Sequence, residues 1–236
     1  MAPSAPPRYQ QIADELRQNI EAAVYQVGDQ LPTEAELSKR FDVNRHTLRR
    51  AIEILRQEGL VRVDRGRGTF VMAAPIALTI GKRVRYNEML KAQGLTPTKE
   101  TLRIAKLPAD SPVAKRLKVN LGDPVVLFER LGLADGYPLS IASSYFPCAL
   151  MPDIATHCET YQSISKMLRH CYDFDHLRRS TRISARMVQP RDANYLQVSL
   201  QSPILLTESV NVNQFGDVIE YGVTRFRSDR MELVFE

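Results

Sequence analysis

The chain has 236 residues, 44 % of them apolar, with a formal net charge of +5. That length suits one large domain or two smaller ones with ordinary cores. No run of about 18 uncharged apolar residues occurs, and Met1–Pro7 has neither a basic region nor an apolar run, so the sequence predicts a cytoplasmic protein with no membrane span or signal peptide.

The three cysteines, Cys148, Cys158 and Cys171, form no Cys-x-x-Cys unit. His157 beside Cys158 and His170 beside Cys171 fit no usual zinc spacing, so reduced, partly buried thiols and no metal site are expected. The charge is unevenly spread. Residues 39–67 hold nine Lys or Arg against four acids, a net +5 that equals the excess of the whole chain. A cationic surface of this kind attracts a polyanion.

In chain order, Tyr9, Ile12, Ala13, Leu16, Ile20, Ala23 and Val24 recur at three- and four-residue steps and predict an amphipathic helix ending before Gly28. Thr33 and Glu36 have capping-box spacing at the start of a short second helix, which carries Leu37 and Phe41 inward and stops near Asp42. Asn44 is a good N-cap for a third helix with Leu48, Ala51, Ile52 and Leu55 as its apolar stripe and Gly59 closing it. Arg45 and Arg49 share a face outside that stripe.

Two short helices with a tight joint, the second cationic at its start, make a helix-turn-helix. Its second helix would set Asn44, Arg45, His46, Thr47 and Arg49 against base edges in the major groove. Thr33 and Thr47 suit phosphate oxygens. Leu60–Val63 and Thr69–Val71 then read as strands around Asp64-Arg65-Gly66-Arg67-Gly68, a wing whose glycines permit close approach and whose arginines supply charge. A charged helix face alone is usually just solvated; the order helix, helix, basic helix, basic glycine hairpin is far more specific. The Gly66-x-Gly68 pair is no dinucleotide motif, because it lies in a hairpin.

Tyr9-Gln10-Gln11-Ile12-Ala13, Gly28-Asp29-Gln30-Leu31-Pro32-Thr33-Glu34, Val43–Ala51 and Gly66–Val71 resemble the GntR repressors. The resemblance covers residues 8–72 and implies DNA contacts from Thr33, Arg45, Thr47, Arg49, Arg65 and Gly66. At Ala35, where some relatives carry a DNA-contacting arginine, that contact is missing. The expected organisation is a winged helix-turn-helix over residues 1–72, a linker at 73–79 and a second domain at 80–236.

Within that second domain, Tyr86–Gln93, Ser111–Leu117, Tyr161–Cys171 and Arg191–Leu200 read as helices. Strands are predicted at Val125–Ala134 and Leu139–Phe146 around the hairpin signal Asp135-Gly136, at Arg179–Val188, at Ile204–Asn213 and Val218–Arg227, and at Met231–Phe235. The class is α+β with an antiparallel sheet. Arg130 falls among apolar strand residues, and so does Glu220. Such charges need either each other or an ionic ligand.

Glu129-Arg130-Leu131, Asp135–Leu139, Ser144-Tyr145-Phe146-Pro147, Ser163, Glu220, Arg227 and Asp229 resemble the ligand-binding domain of the HutC branch of that family, which has the chorismate lyase fold. The resemblance implies an effector pocket using Arg130, Ser144, Ser163 and Glu220, with the start of the first helix around Asn87 near an anionic group. Ala142, Ser165 and Gly132 depart from the glutamate, tyrosine and second arginine common in relatives, which weakens the case for an ordinary sugar phosphate. Val43–Ile52, Thr181–Arg186 and Glu220-Tyr221 are similar to the repressors of phosphonate-metabolism operons, which adds Arg182 to the effector set.

The expected function is therefore a homodimeric, DNA-binding transcription regulator, a repressor by family habit, that binds double-stranded operator DNA under control of a small anionic effector, without a cofactor. One alternative is a repressor of sugar-phosphate or amino-acid catabolism. Another is a chorismate-lyase-like enzyme fused to a DNA-binding domain; against it, the sequence offers no nucleophile–base pair and no metal set, so no catalytic residue is assigned.

Overall fold

A computed structural model describes residues 6–64, 66–72 and 75–235. The chain divides into two compact units, Met1–Pro75 and Ile76–Glu236.

In the first unit three helices, α1 (Arg8–Glu21), α2 (Glu34–Phe41) and α3 (Arg45–Gln57), precede an antiparallel hairpin of β1 (Val61–Asp64) and β2 (Gly68–Val71). The core joins Ile12, Ala13 and Leu16 of α1 to Leu37 and Phe41 of α2 and to the whole predicted stripe of α3. The predicted first helix is too long at its end. Ala22 caps it and Ala23 takes a left-handed φ of 55°, so Val24 turns out to solvent. The capping box forms as read: Thr33 N–H donates to Glu36 Oε2 at 2.7 Å and Glu36 N–H to Thr33 Oγ1 at 3.3 Å. Asn44 Oδ1 accepts from Thr47 N–H at 2.8 Å and starts α3.

The second unit contains β3 (Ile76–Thr79), α4 (Tyr86–Ala92), β4 (Pro97–Pro108), α5 (Ser111–Leu117), β5 (Pro124–Ala134), β6 (Tyr137–Pro147), α6 (Ile154–Thr160) and α7 (Ile164–Tyr172). It continues through β7 (Leu177–Met187), α8 (Pro190–Leu196), β8 (Pro203–Val212), β9 (Val218–Arg227) and β10 (Met231–Val234). Six strands form one antiparallel sheet in the order β4-β5-β6-β9-β8-β7.

Two expectations are corrected here. Residues 76–79 are not linker: they pair in parallel with β10, because Ile76 and Leu78 alternate inward onto Leu90, Phe226 and Met231. The final strand accordingly stands outside the main sheet. The helix predicted at 191–200 ends at Leu196, where Gln197 turns left-handed (φ 54°). β4 and α6 are elements the sequence reading did not contain.

The sheet is built from two like halves. β4-α5-β5-β6 and β7-α8-β8-β9 have the same order of elements, and their middles align in sequence. Leu117, Val119, Leu121, Pro124, Leu127 and Glu129 recur as Leu196, Val198, Leu200, Pro203, Leu206 and Glu208. The turn bonds recur too: Val119 N–H to Ala114 O and Val198 N–H to Ala193 O are both 3.1 Å, after left-handed Lys118 and Gln197. The halves join where β6 pairs with β9, from Ser140↔Phe226 to Tyr145↔Tyr221. α5 and α8 cover one face of the sheet, each reaching across that seam, α5 onto β9 and α8 onto β6.

Leu48 is fully buried at the centre of the first unit. Leu48→Ala should destabilise that unit by about 2–5 kcal/mol through lost transfer energy and a cavity. Urea unfolding followed by far-UV circular dichroism checks this; a loss under about 1 kcal/mol places Leu48 outside the core.

Candidate functional site

Two surfaces carry chemistry, one on each unit. On the first, Asn44, Arg45, His46 and Arg49 are exposed at the start of α3, and Thr47 is half-buried beside them. Arg45 and His46 have no recorded side-chain partner among the described residues and face solvent. Arg49 instead pairs with Glu34 of α2 at 2.9 Å, an exposed bridge that contributes little and is easily exchanged for a phosphate or a base. The Thr33 hydroxyl donates to Glu36 Oε2 at 2.7 Å, so its cap duty competes with any phosphate contact.

The wing is held from below. Gln30 Nε2 donates to Arg67 O at 2.9 Å, and Leu31 N–H to Thr69 O at 2.8 Å. Gly68 sits at φ 121° over the Gln30 carboxamide, which a Cβ would strike at 2.2 Å. Arg67 and Gly66 are thereby presented at an exposed tip.

In the second unit a cavity of about 780 Å³ lies on the sheet face opposite α5 and α8, bounded by α4 and by the start of α7. A volume of that size suits a small metabolite. Strand alternation lays out its floor. β6 contributes Ser140, Ala142 and Ser144; β9 contributes Glu220, Gly222 and Thr224; β8 contributes Thr207, Ser209 and Asn211. Cations come from Arg130 of β5 and Lys99 of β4 at one side, and from Arg178 of β7 at the other.

Arg130 and Glu220 do not bond each other. Glu220 Oε2 accepts from His176 Nε2 and from Asn211 Nδ2, each at 2.6 Å. Burial alone would raise the Glu220 carboxyl, but the His176 charge and its hydrogen bonds, with those of Ser144 and Asn211, hold it down at about 2. Arg130 is 6 % exposed; its Nη1 donates to Gln162 O at 3.3 Å and its Nε has no partner. It is a buried cation resting on a carbonyl rather than a carboxylate.

Behind Glu220 a chain of hydrogen bonds continues. His176 Nδ1 lies 2.8 Å from Ser165 Oγ, and Ser165 Oγ–H donates to Val84 O at 3.1 Å. Serine, histidine and glutamate thus stand in line, as in a nucleophile triad. The Ser165 hydroxyl is shared between His176 and the Val84 carbonyl and sits behind Glu220. Asn87 and Asn211 each bring a buried Oδ1 with no partner. Among the described residues no group of three His, Cys, Asp or Glu is placed to hold a metal ion, and no helix is long and apolar enough to cross a membrane.

Residues 8–71 match the bacterial regulatory proteins of the gntR family, and residues 92–232 match the UTRA domain. The chain belongs to the GntR family and carries a UTRA domain. It is 34 % identical over 236 residues to the probable transcriptional regulator PhnF of Escherichia coli, covering 99 % of this chain and 96 % of that one. It is 35 % identical to an uncharacterised HTH-type transcriptional regulator of Rhizobium meliloti, covering 97 % and 94 %. The crystal structure of PhnF from Mycobacterium smegmatis superposes with a TM-score of 0.67 at 28 % identity, covering 95 % of this chain and 98 % of that one. The protein is therefore a transcriptional regulator of GntR/UTRA type, not an enzyme, with a DNA-binding unit and an effector-binding unit.

This GntR/UTRA regulator brings Asn87, Arg130, Ser144, Ser163 and Glu220 to the one cavity. Ser163 is also the N-cap of α7, its Oγ accepting from Lys166 N–H at 3.4 Å. Arg182 is a correction: it is exposed and paired in register with Glu208, away from the cavity. A register shift between Arg178 and Ser180 inverts the strand's parity, so Arg178 and Thr181 face inward in its place. Arg65 lies outside the described residues. Lys99, His176, Arg178 and Asn211 were missed. A lysine amid the alternation of β4 was a readable signal for Lys99; nothing local marks His176, which sits between elements.

The Glu220 pair makes stability depend on pH. A carboxylate held below its usual value of 4.5 stabilises the fold fully above that value and loses the contribution as pH falls toward 2. The stability gap between wild type and Glu220→Gln should be constant from pH 7 to 5 and close between pH 4.5 and 2. A gap independent of pH in urea titrations refutes this.

Proposed function

We propose that the protein is a homodimeric repressor that releases its operator on binding a small anion of the phosphonate or phosphate-compound class. The observation that carries this reading is Arg130: buried, with a free Nε and no carboxylate of its own, in a cavity of metabolite size. An uncompensated buried cation is costly, and an anionic ligand removes the cost. Glu220 is not the missing partner, since His176 and Asn211 already hold it. The phosphonate class follows from the sequence resemblance together with this cationic floor.

On the DNA side, Arg45 at the start of α3 is the proposed base-reading residue, with Asn44, His46, Thr47 and Arg49 beside it. Thr33, Gly66 and Arg67, and Arg65 next to them in the sequence, would bear on the backbone and the adjoining groove. Two copies would meet the half-sites of a pseudo-palindrome about one helical turn apart. Effector coupling of about 1–3 kcal/mol changes operator affinity roughly 5- to 150-fold.

The test is an anisotropy titration of the protein against the DNA upstream of its own gene, repeated with phosphonates, phosphate esters and neutral sugars. One anion should relieve binding. Arg45→Ala should weaken specific binding about 5- to 150-fold with the fold intact, since its side chain lies outside the core. Arg130→Ala should leave operator affinity unchanged and abolish relief by the anion. Relief surviving in Arg130→Ala overturns the cavity assignment, and unchanged operator affinity in Arg45→Ala overturns the groove assignment.

A further inference from the structure

We propose that Lys99 binds the effector directly and, with Arg130, selects a charged group that carries two negative charges. The inference rests on the anion-binding reading of the cavity and adds a residue and a charge count to it.

Lys99 stands opposite Gly132 in the β4–β5 register, while Arg130 stands opposite Thr101, two pairs further along. Residues directly opposed share a face of the sheet, and so do residues two apart along a strand. Lys99 and Arg130 are therefore diagonal neighbours on the cavity floor. Gly132 puts no side chain between them. Lys99 Nζ lies 4.6 Å from the centroid of the Tyr86 ring, which lines the same cavity.

Neither cation forms an ion pair among the described residues. The one buried acid nearby, Glu220, is engaged by His176 and Asn211. Burial first, then the Arg130 charge, pushes the Lys99 ammonium down to about 7, with Glu220 opposing. Half of the lysine is therefore neutral at neutral pH in the empty cavity. A monoanion compensates Arg130 alone. A second negative charge on the same ligand draws a proton onto Lys99, so the dianion is favoured and its binding takes up a proton.

The other charged or titratable groups around the cavity are distributed by element. α4 contributes Tyr86, Lys91 and the exposed pair Arg85–Glu88 at 3.6 Å. α7 contributes Lys166, Arg169 and His170, preceded by Tyr161; Arg169 is bridged to Asp173 at 3.2 Å. β7 and the residue before it contribute Arg178 and His176, and β9 contributes Glu220. Two of these groups, His170 and His176, are imidazoles, so the test must assign the proton to Lys99.

Inorganic sulfate serves as the probe, being a dianion with no proton of its own to exchange near neutrality. Isothermal titration calorimetry of the full chain in two buffers of different ionisation enthalpy should show uptake of close to one proton at pH 8. Sulfate affinity should fall about fivefold between pH 7 and pH 8, as expected for a group titrating near 7. Lys99→Arg should bind sulfate with neither the uptake nor the fall. Lys99→Met should lose about tenfold or more for sulfate and less than about twofold for nitrate, a monoanion. Thermal melts confirm that each variant is folded. Sulfate binding unchanged in Lys99→Met, or proton uptake persisting in Lys99→Arg, overturns this inference alone. No sulfate binding to the wild type overturns the anion-cavity reading and this inference together.

Discussion

The seam between β6 and β9 is the contact on which the second unit depends. Each half of the sheet has its own three strands, but a three-stranded piece leaves an edge unpaired and a face uncovered. Pairing Ser140–Tyr145 with Phe226–Tyr221 closes one edge of each half and lets the helix of each half lie over the strands of the other. It also makes a floor wide enough for a ligand. Ser140, Ala142 and Ser144 come from one side of the seam, and Glu220, Gly222 and Thr224 from the other. Small side chains on both strands leave the volume empty; larger ones would fill it as core.

The two faces of that sheet treat buried charge differently. Glu129 and Arg130 are adjacent and project to opposite sides. Glu129 is 4 % exposed and meets Arg191, Arg225 at 3.2 Å and the Ser143 hydroxyl at 2.8 Å. Burial raises its carboxyl, but these partners outweigh that and hold it below the usual carboxylate range. Arg225 also reaches Asp192 of α8 at 3.3 Å, fixing the helix to the sheet. One residue later Arg130 has a single carbonyl as its hydrogen-bond partner, with the Phe128 ring 4.6 Å from its guanidinium. The fold satisfies buried charge with carboxylates on one face, and the guanidinium across the sheet, which lacks one, is the group proposed above to meet an anion.

Much of this was legible in sequence because local rules were strong. Thr33 with Glu36, Asn44 before the α3 stripe, and Asp135-Gly136 each specify their geometry within a few residues, and each adopts it. Long-range pairing was not legible. β3 reads as linker until Met231 arrives beside Ile76 from the other end of the chain. Arg182 and Arg178 exchange roles through one extra residue in β7, a change that no alternation pattern reveals. His176 gains its meaning from Glu220, 44 positions away. The repeat of Leu117–Glu129 in Leu196–Glu208 was present in the letters, and its spacing announces the doubled sheet.

That doubling has an evolutionary consequence. At the position where the first half has Arg130, the second half has Ser209, and both face the cavity. The cations Lys99 and Arg130 belong to the first copy; Asn211 and Glu220, together with His176 just before β7, belong to the second. If the halves arose by duplication of one segment, their divergence gave the cavity two unlike poles, Lys99 and Arg130 in one copy, and Arg178, Asn211 and Glu220 in the other. Each pole then lies on a separate stretch of coding sequence. Under the proposed anion binding, drift in one pole would change which charged group is admitted while the other went on holding the rest of the molecule, so new ligands would be reachable by successive single changes.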